Sequence, residues 1–337
     1  SRALKKHYPE IQEIIIHTGQ HFDTNMSDIF FSELSIRTPD YKLGIGGGTH
    51  GQNTGRMIEH IEEVLICEKP DWVLVYGDTD STLAGALAAS KLHIKVAHVE
   101  SGLRSFNKRM PEEINRILTD HVSSILFTPS KLATDNLTHE GVNLEIIHQV
   151  GDVMFDASIF YNKISDQESS ILEQLDIVDT EYMLLTIHRR ENTSSKVKLE
   201  NIMNGLEESG RNIIWPLHPG TKIQIEQFNI DIPKNIKIIQ PVGYLDMISL
   251  QKNARLVITD SGGVQKEAYF YQVPCIILRD ETEWVELVEN GYSILCGSDS
   301  KCIIEAINNM ALSEIDERYL YGQGDAAEKI VRVLSSF

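Results

Sequence analysis

The chain has 337 residues, more than one hydrophobic core usually serves, so two domains are expected. Its 31 Lys and Arg against 49 Asp and Glu leave a net charge of −18. That balance argues against a broad nucleic-acid surface or an anionic-membrane surface, both of which need clustered cations, but it leaves room for a small anionic ligand held by helix N-termini and a few local cations.

SRALKKHYPEI at the start reads as the end of a helix, whereas a doubly wound domain opens with a strand and a ligand-binding turn. An opening strand and loop are therefore expected ahead of Ser1. Strand-like runs follow at 13–17, 72–76, 94–99, 124–128 and 145–149, then at 182–187, 212–217, 236–240, 255–259 and 274–278. Helical stretches at 54–68, 79–91, 111–121, 197–208 and 262–271 lie between them. Strands alternating with helices imply an α/β fold built from βαβ units, and unbroken apolar strands imply parallel sheets covered on both faces. The rhythm falters over 151–177, which places a hinge near 151–156. The expected division is a first Rossmann-like domain at 1–155, a second at 156–322, and a helix at 323–337 packing back on the first. No apolar run is long enough for membrane insertion, and no signal peptide is visible. Cys67, Cys275, Cys296 and Cys302 lack CxxC spacing, which fits reduced thiols of a cytoplasmic protein. No metal-ligand cluster is visible.

In open parallel sheets ligands bind beyond the carboxyl ends of the strands, so the residues there carry the functional signal. After 72–76 comes Asp78; after 94–97 come His98 and Glu100. After 182–187 come His188, Arg189, Arg190 and Glu191, and after 212–217 comes His218. Asp260, Ser261, Gly262 and Gly263 follow 255–259, and Arg279 follows 274–278. Asp78 or Thr79 alone reads as a helix N-cap. Caps do not explain His and Arg at so many ends, and a polar cleft lined by both halves does. Ser261-Gly262-Gly263 opening a helix suits a phosphate or pyrophosphate. GGGTHG at 46–51 matches GxGxxG in form only; RTPDYKLGI before it is a poor strand, so it is rejected as a dinucleotide fingerprint. No GxxxxGK[ST] is present. In PEEINR, Glu112 and Glu113 suit a first helical turn, Glu113 being read as the helix-start carboxylate and Asn115 and Arg116 as groups that orient Glu112 or pair locally. His98 reads as a structural strand-end histidine.

YGDTDST, AHVESGLRS, MPEEINR, IHRREN, PLHPG and TDSGGVQKEA, in that order, resemble the non-hydrolysing UDP-N-acetylglucosamine 2-epimerases over almost the whole chain. The resemblance implies the GT-B architecture, two Rossmann-like domains with the active site in the interdomain cleft. It implies a homodimer with no cofactor and no metal, a UDP-sugar as the partner, and a product used for surface polysaccharide. The implied reaction eliminates UDP as the carbon-2 proton leaves, then returns UDP while carbon 2 is reprotonated on the opposite face. The motif matches carry acid–base roles to Asp78, Glu100 and Glu112, leaving open which takes the proton and which returns it, and put His188 near the departing diphosphate. They assign Ser261, Gly262 and Gly263 to the diphosphate, Glu267 to the ribose hydroxyls, and His218, Arg279 and Arg116 to the substrate pocket. The family's opening Gly-x-Arg-Pro turn would lie in the expected preceding segment. QHFDT at 20–24 stands where many members have QHREM, so the substrate-activated regulation of some bacterial members is not expected. RDETEWVE at 279–286 and AHVESG resemble the branch acting on UDP-2,3-diacetamido-2,3-dideoxy-glucuronic acid. A hydrolysing relative, a GT-B glycosyltransferase and a nucleotide-sugar-binding module are the competing readings.

Overall fold

The computed structural model describes residues 1–19, 34, 36–310 and 320–336; the QHFDT stretch lies outside them. The chain forms two compact units, Ser1–Ala157 with Tyr319–Phe337, and Ser158–Arg318.

In the first unit, β1 (Ile16–His17) pairs in parallel with β2 (Tyr41–Lys42). The second is a two-residue pairing inside the stretch that reads as a poor strand. A four-stranded parallel sheet then runs β3 (Trp72–Tyr76), β4 (Lys95–Val99), β5 (Ile125–Thr128), β6 (Ile147–Gln149) in sequential order. On one face, Val75 and Val96 pack with Met57, Ile61 and Leu65 of helix α1 (His50–Glu68) and with the alanines of α2 (Asp80–Lys91). The alanines of α2 put little bulk between strand and helix, so the layers approach closely. On the other face Ala97, Val99, Ile125 and Phe127 meet Ala326 and Ile330 of the helix Ala326–Leu334, which thus belongs to this unit's core. The formal GxGxxG stretch ends in an ordinary helix start: Thr49 caps α1 in a reciprocal capping box with Gln52.

Among the described residues the second unit has six parallel strands: β7 (Met183–Thr186), β8 (Ile213–Pro216), β9 (Ile236–Ile239), β10 (Leu256–Thr259), β11 (Cys275–Ile277) and β12 (Ser293–Leu295). Their spatial order is β12-β11-β10-β7-β8-β9. Renumbered within the unit this is the doubly wound order 3-2-1-4-5-6 written from its far edge, with the switch point between β7 and β10. Met183, Leu185, Ile258 and Ile276 enter one apolar cluster, and Leu184, Val257, Cys275 and Ile277 the other. Alternate residues therefore point to opposite faces and both faces are buried, which is why these strands read as unbroken apolar runs. The edge strand β12 went unrecognised in the sequence because three residues, Ser293 among them, carry too little pattern. The fold is thus α/β with parallel sheets in two Rossmann-like units. Among the described residues no helix is long and apolar enough to cross a membrane.

Candidate active site

In the first unit the chemistry-bearing groups gather where β3 and β4 end. Gly77 turns the chain with φ +65°, and Thr79, not Asp78, caps α2 in a capping box with Thr82. The cap being supplied by its neighbour, the Asp78 carboxylate is available for other contacts: Oδ2 accepts from Arg116 Nη2 at 2.6 Å. Arg116 comes from α3 (Pro111–Val122), is almost fully buried, and also donates from Nη1 to Glu113 Oε2 at 3.0 Å. Glu113 is buried and accepts further from the Ser105 amide, the Ser105 hydroxyl and the Phe106 amide. Arg116 thus joins Asp78 to Glu113 rather than orienting Glu112.

Glu100 follows β4 with φ +71°, a left-handed conformation that costs a non-glycine residue energy and is held here because the Glu100 and Ser101 amides both donate to Phe127 O at 3.1 Å. A Cβ on Gly77 would lie 3.3 Å from Glu100 Oε2, so the two turns present Asp78 and Glu100 side by side. Glu112 is exposed on α3, one turn before Arg116 and therefore on the same helical face. Asp80, unremarked in the sequence, is buried and accepts from Asn115 Nδ2 at 3.1 Å, with His50 Nδ1 at 2.9 Å.

In the second unit the switch point organises the site. Asp260, just after β10, is fully buried. It accepts from the His188 amide at 3.1 Å, the Arg189 amide at 3.0 Å and Asn192 Nδ2 at 3.1 Å, which fixes the loop after β7. His188 Nδ1 lies 3.3 Å from Asp260 Oδ1. Burial nevertheless pushes the His188 ring below the usual histidine range, against the attraction of Asp260 and with help from Arg189 and His218. The His188 and His218 rings are 6.3 Å apart. His218 caps its helix, Pro219–Phe228, by accepting the Gly220 amide on Nδ1 at 3.1 Å; the proton of the neutral ring is therefore on Nε2.

Ser261 caps the helix Gly262–Phe270, its Oγ accepting from the Val264 amide. A Cβ on Gly262 would meet Glu283 Oε1 at 3.2 Å, Trp284 Nε1 at 3.6 Å and Arg189 Nη2 at 3.8 Å. Arg189 thus brings a cation to the helix N-terminus that suits an anion. Glu267, one turn on from Gly263 in the same helix, is buried and held by Tyr244 OH at 3.0 Å and Gln251 Nε2 at 2.9 Å; burial raises it above the usual glutamate range. Arg279 is buried, donates from Nη1 to Glu283 Oε2 at 2.8 Å, and keeps Nε and Nη2 without hydrogen-bond partners among the described residues. Lys266 Nζ stands 4.0 Å from the centre of the Trp284 ring.

The site residues fall into two groups. Asp78, Glu100 and Arg116 gather in the first unit, where Glu112 lies exposed on α3, and His188, His218, Ser261, Gly262, Gly263, Glu267 and Arg279 belong to the second. Among the described residues no cluster of His, Cys, Asp and Glu is fit to hold a metal ion.

A family model described as UDP-N-acetylglucosamine 2-epimerase matches residues 2–335. A UDP-N-acetylglucosamine 2-epimerase homolog of Methanococcus maripaludis is 52% identical over 99% of this chain and 94% of its own length. A UDP-2,3-diacetamido-2,3-dideoxy-D-glucuronate 2-epimerase of Pseudomonas aeruginosa is 51% identical over 96% of this chain and 92% of its own. The crystal structure of Methanocaldococcus jannaschii UDP-GlcNAc 2-epimerase in complex with UDP-GlcNAc and UDP superposes with a TM-score of 0.89 at 47% identity, covering 100% of this chain and 94% of the other.

Proposed function

The chain belongs to the UDP-N-acetylglucosamine 2-epimerase family, and from that premise we propose that it is a non-hydrolysing isomerase inverting carbon 2 of UDP-N-acetylglucosamine to give UDP-N-acetylmannosamine. The observation that carries the reading is the convergence of Asp78 and Glu100 at Gly77, with Arg116 paired to Asp78. Elimination needs a base at carbon 2 and stabilisation of the departing diphosphate, and re-addition needs an acid on the opposite face. Asp78, Glu100 and Glu112 are the candidate acid–base groups. The guanidinium of Arg116 favours a charged carboxylate at Asp78, which suits proton abstraction. His188, Arg189 and the amides opening the helix at Gly262 suit the diphosphate; an arriving anion would draw a proton onto His188. Glu267 is assigned to the ribose hydroxyls, and His218 and Arg279 to the nucleotide pocket. The carbon-2 proton leaves as the bond from carbon 1 to the diphosphate oxygen breaks, and both are restored in the return step, so neither oxidant nor cofactor is consumed. In this reading the protein works as a cytoplasmic homodimer and feeds a surface polymer. Its four cysteines, free in the structure, are consistent with a reducing compartment.

The 51% identity with the diacetamido-glucuronate enzyme, together with RDETEWVE at 279–286, supports that nucleotide as a second substrate reading. Incubating the protein with each nucleotide in deuterated water tests both: the substrate is the one that returns an epimer labelled at carbon 2. Free sugar would select hydrolysis, and unlabelled epimer would rule out elimination.

A further inference from the structure

Three consecutive carbonyls at the end of β3 are each taken by a different side-chain donor. Thr82 Oγ1 donates to Tyr76 O at 2.5 Å and Asn115 Nδ2 to Asp78 O at 3.0 Å, while His98 Nε2 lies 2.8 Å from Gly77 O. A carbonyl only accepts, so His98 Nε2 carries a proton. The other ring nitrogen, Nδ1, lies 2.7 Å from Asp120 Oδ1, and both side chains are fully buried. Asp120 Oδ2 is engaged by Arg104 Nη1 at 2.8 Å and by the Gly102 amide at 3.2 Å. Arg104 in turn donates to both Glu140 oxygens at 2.7 Å. Burial alone would raise the Asp120 carboxyl, but His98 and Arg104 outweigh it and hold the group below the usual aspartate range. Asp120 Oδ2 already accepts from Arg104 and the Gly102 amide, so Oδ1 is the acceptor that faces the ring and His98 Nδ1 donates to it. A ring sealed from water with an acceptor at each nitrogen is a double donor.

The surroundings show what this double donor orients. His98 lies on β4 two residues before Glu100, and the carbonyl it grips belongs to the residue before Asp78. The Gly77 amide is also tied, donating to Val99 O at 3.0 Å. With the Gly77 carbonyl released, the peptide joining it to Asp78 could rotate, and the Asp78 carboxylate would swing with it. The neighbouring clamps hold the peptides on either side, and His98 holds the plane between them.

We propose that His98 is a positioning residue, a buried double donor that locks the Gly77–Asp78 peptide against Asp120 and so sets the direction in which the Asp78 carboxylate is presented. The inference rests on the epimerase reading above. The test uses the full chain with His98→Leu and His98→Gln, each checked for folding by circular dichroism and melting temperature. A glutamine amide retains a donor for Gly77 O and lacks the second charge-assisted bond. A base misplaced by a fraction of an ångström lowers turnover without weakening ground-state binding. His98→Leu is expected to lower kcat about 100-fold with KM changed less than about 3-fold, and His98→Gln to recover about tenfold of that loss. A folded His98→Leu protein with near-normal kcat, or one altered in KM alone, overturns the proposal.

If the variants fail to fold, nitrogen-15 spectra of histidine-labelled native protein decide the matter, because they need neither substrate nor substitution. Protons on both His98 nitrogens are expected from the two acceptors they face, and one bare nitrogen overturns the proposal. Absence of carbon-2 exchange by the native protein on either nucleotide would count against the epimerase reading, and the nitrogen spectra would still report separately on His98.

Discussion

Glu267→Gln separates a structural from a ligand-binding role. The glutamate is buried, and its two oxygens accept from Tyr244 OH at 3.0 Å and Gln251 Nε2 at 2.9 Å. Glutamine is isosteric. Its carbonyl can keep the Gln251 bond, and its NH2 can donate to the Tyr244 oxygen once that hydroxyl turns its proton elsewhere. Two hydrogen bonds are made before and two after, while the desolvation cost of a buried charge disappears. The folded-state value of Glu267 lies above its ordinary one because of that burial. Its stability cost is therefore fully present above the raised value, is relieved as pH falls through it, and is gone below the ordinary glutamate value of 4.5. The variant is expected to match or exceed the native melting temperature at neutral pH, within about 1 kcal/mol, or roughly 2–4 °C for a unit of this size. If the carboxylate also accepts from the ribose hydroxyls, losing that charge-assisted bond costs about 1.5–3 kcal/mol, a roughly 10–150-fold rise in the Kd for UDP. Differential scanning fluorimetry and titration calorimetry read the two effects separately. A melting temperature lowered by more than about 5 °C, or an unchanged Kd, would refute the reasoning.

Asp78→Asn, Glu100→Gln and Glu112→Gln are each expected to lower carbon-2 exchange by about two or more orders of magnitude with the fold intact; near-normal rates in steady-state assays would reduce the three to structural groups. Gly77→Ala, which places a Cβ 3.3 Å from Glu100 Oε2 at φ +65°, should cost about 1–2 kcal/mol by urea unfolding and depress turnover as well. Asp120, held below the usual aspartate range, contributes stability that is present above its ordinary value of 3.8 and is lost as pH falls through its depressed one. Asp120→Asn should therefore cost about 3–5 kcal/mol at neutral pH, with the gap to native protein narrowing in acid, as urea midpoints against pH will show. His188 lies below the usual histidine range through burial, so a diphosphate beside it should raise it and draw in a proton. Calorimetry of UDP binding in buffers of different ionisation enthalpy should record that uptake, and its persistence in His188→Gln would remove His188 from the role.

The α/β class and its parallel sheets were legible in the sequence because they rest on local signals. A strand buried on both faces must be apolar throughout, and the turn after it must supply caps and glycines. The elements that escaped, β2 and β12, are two and three residues long and have no periodicity to read. Asp78, His188 and Ser261 were visible as polar residues at strand ends for the same reason, since a parallel sheet leaves its carboxyl edge open to a ligand. Their partners could be assigned only from the tertiary structure. Asp78 meets Arg116 across 38 positions of sequence, and Asp260 ties the loop of His188 from 72 positions away, distances over which no spacing rule operates. His98 read as a structural strand-end histidine, because the sequence shows which side chain is present but not which acceptor faces it. Residue type and local pattern determined which groups this protein brings to its strand ends; the parallel pairing of β3 with β4 and of β7 with β10 decided which partners meet them there and how each is held.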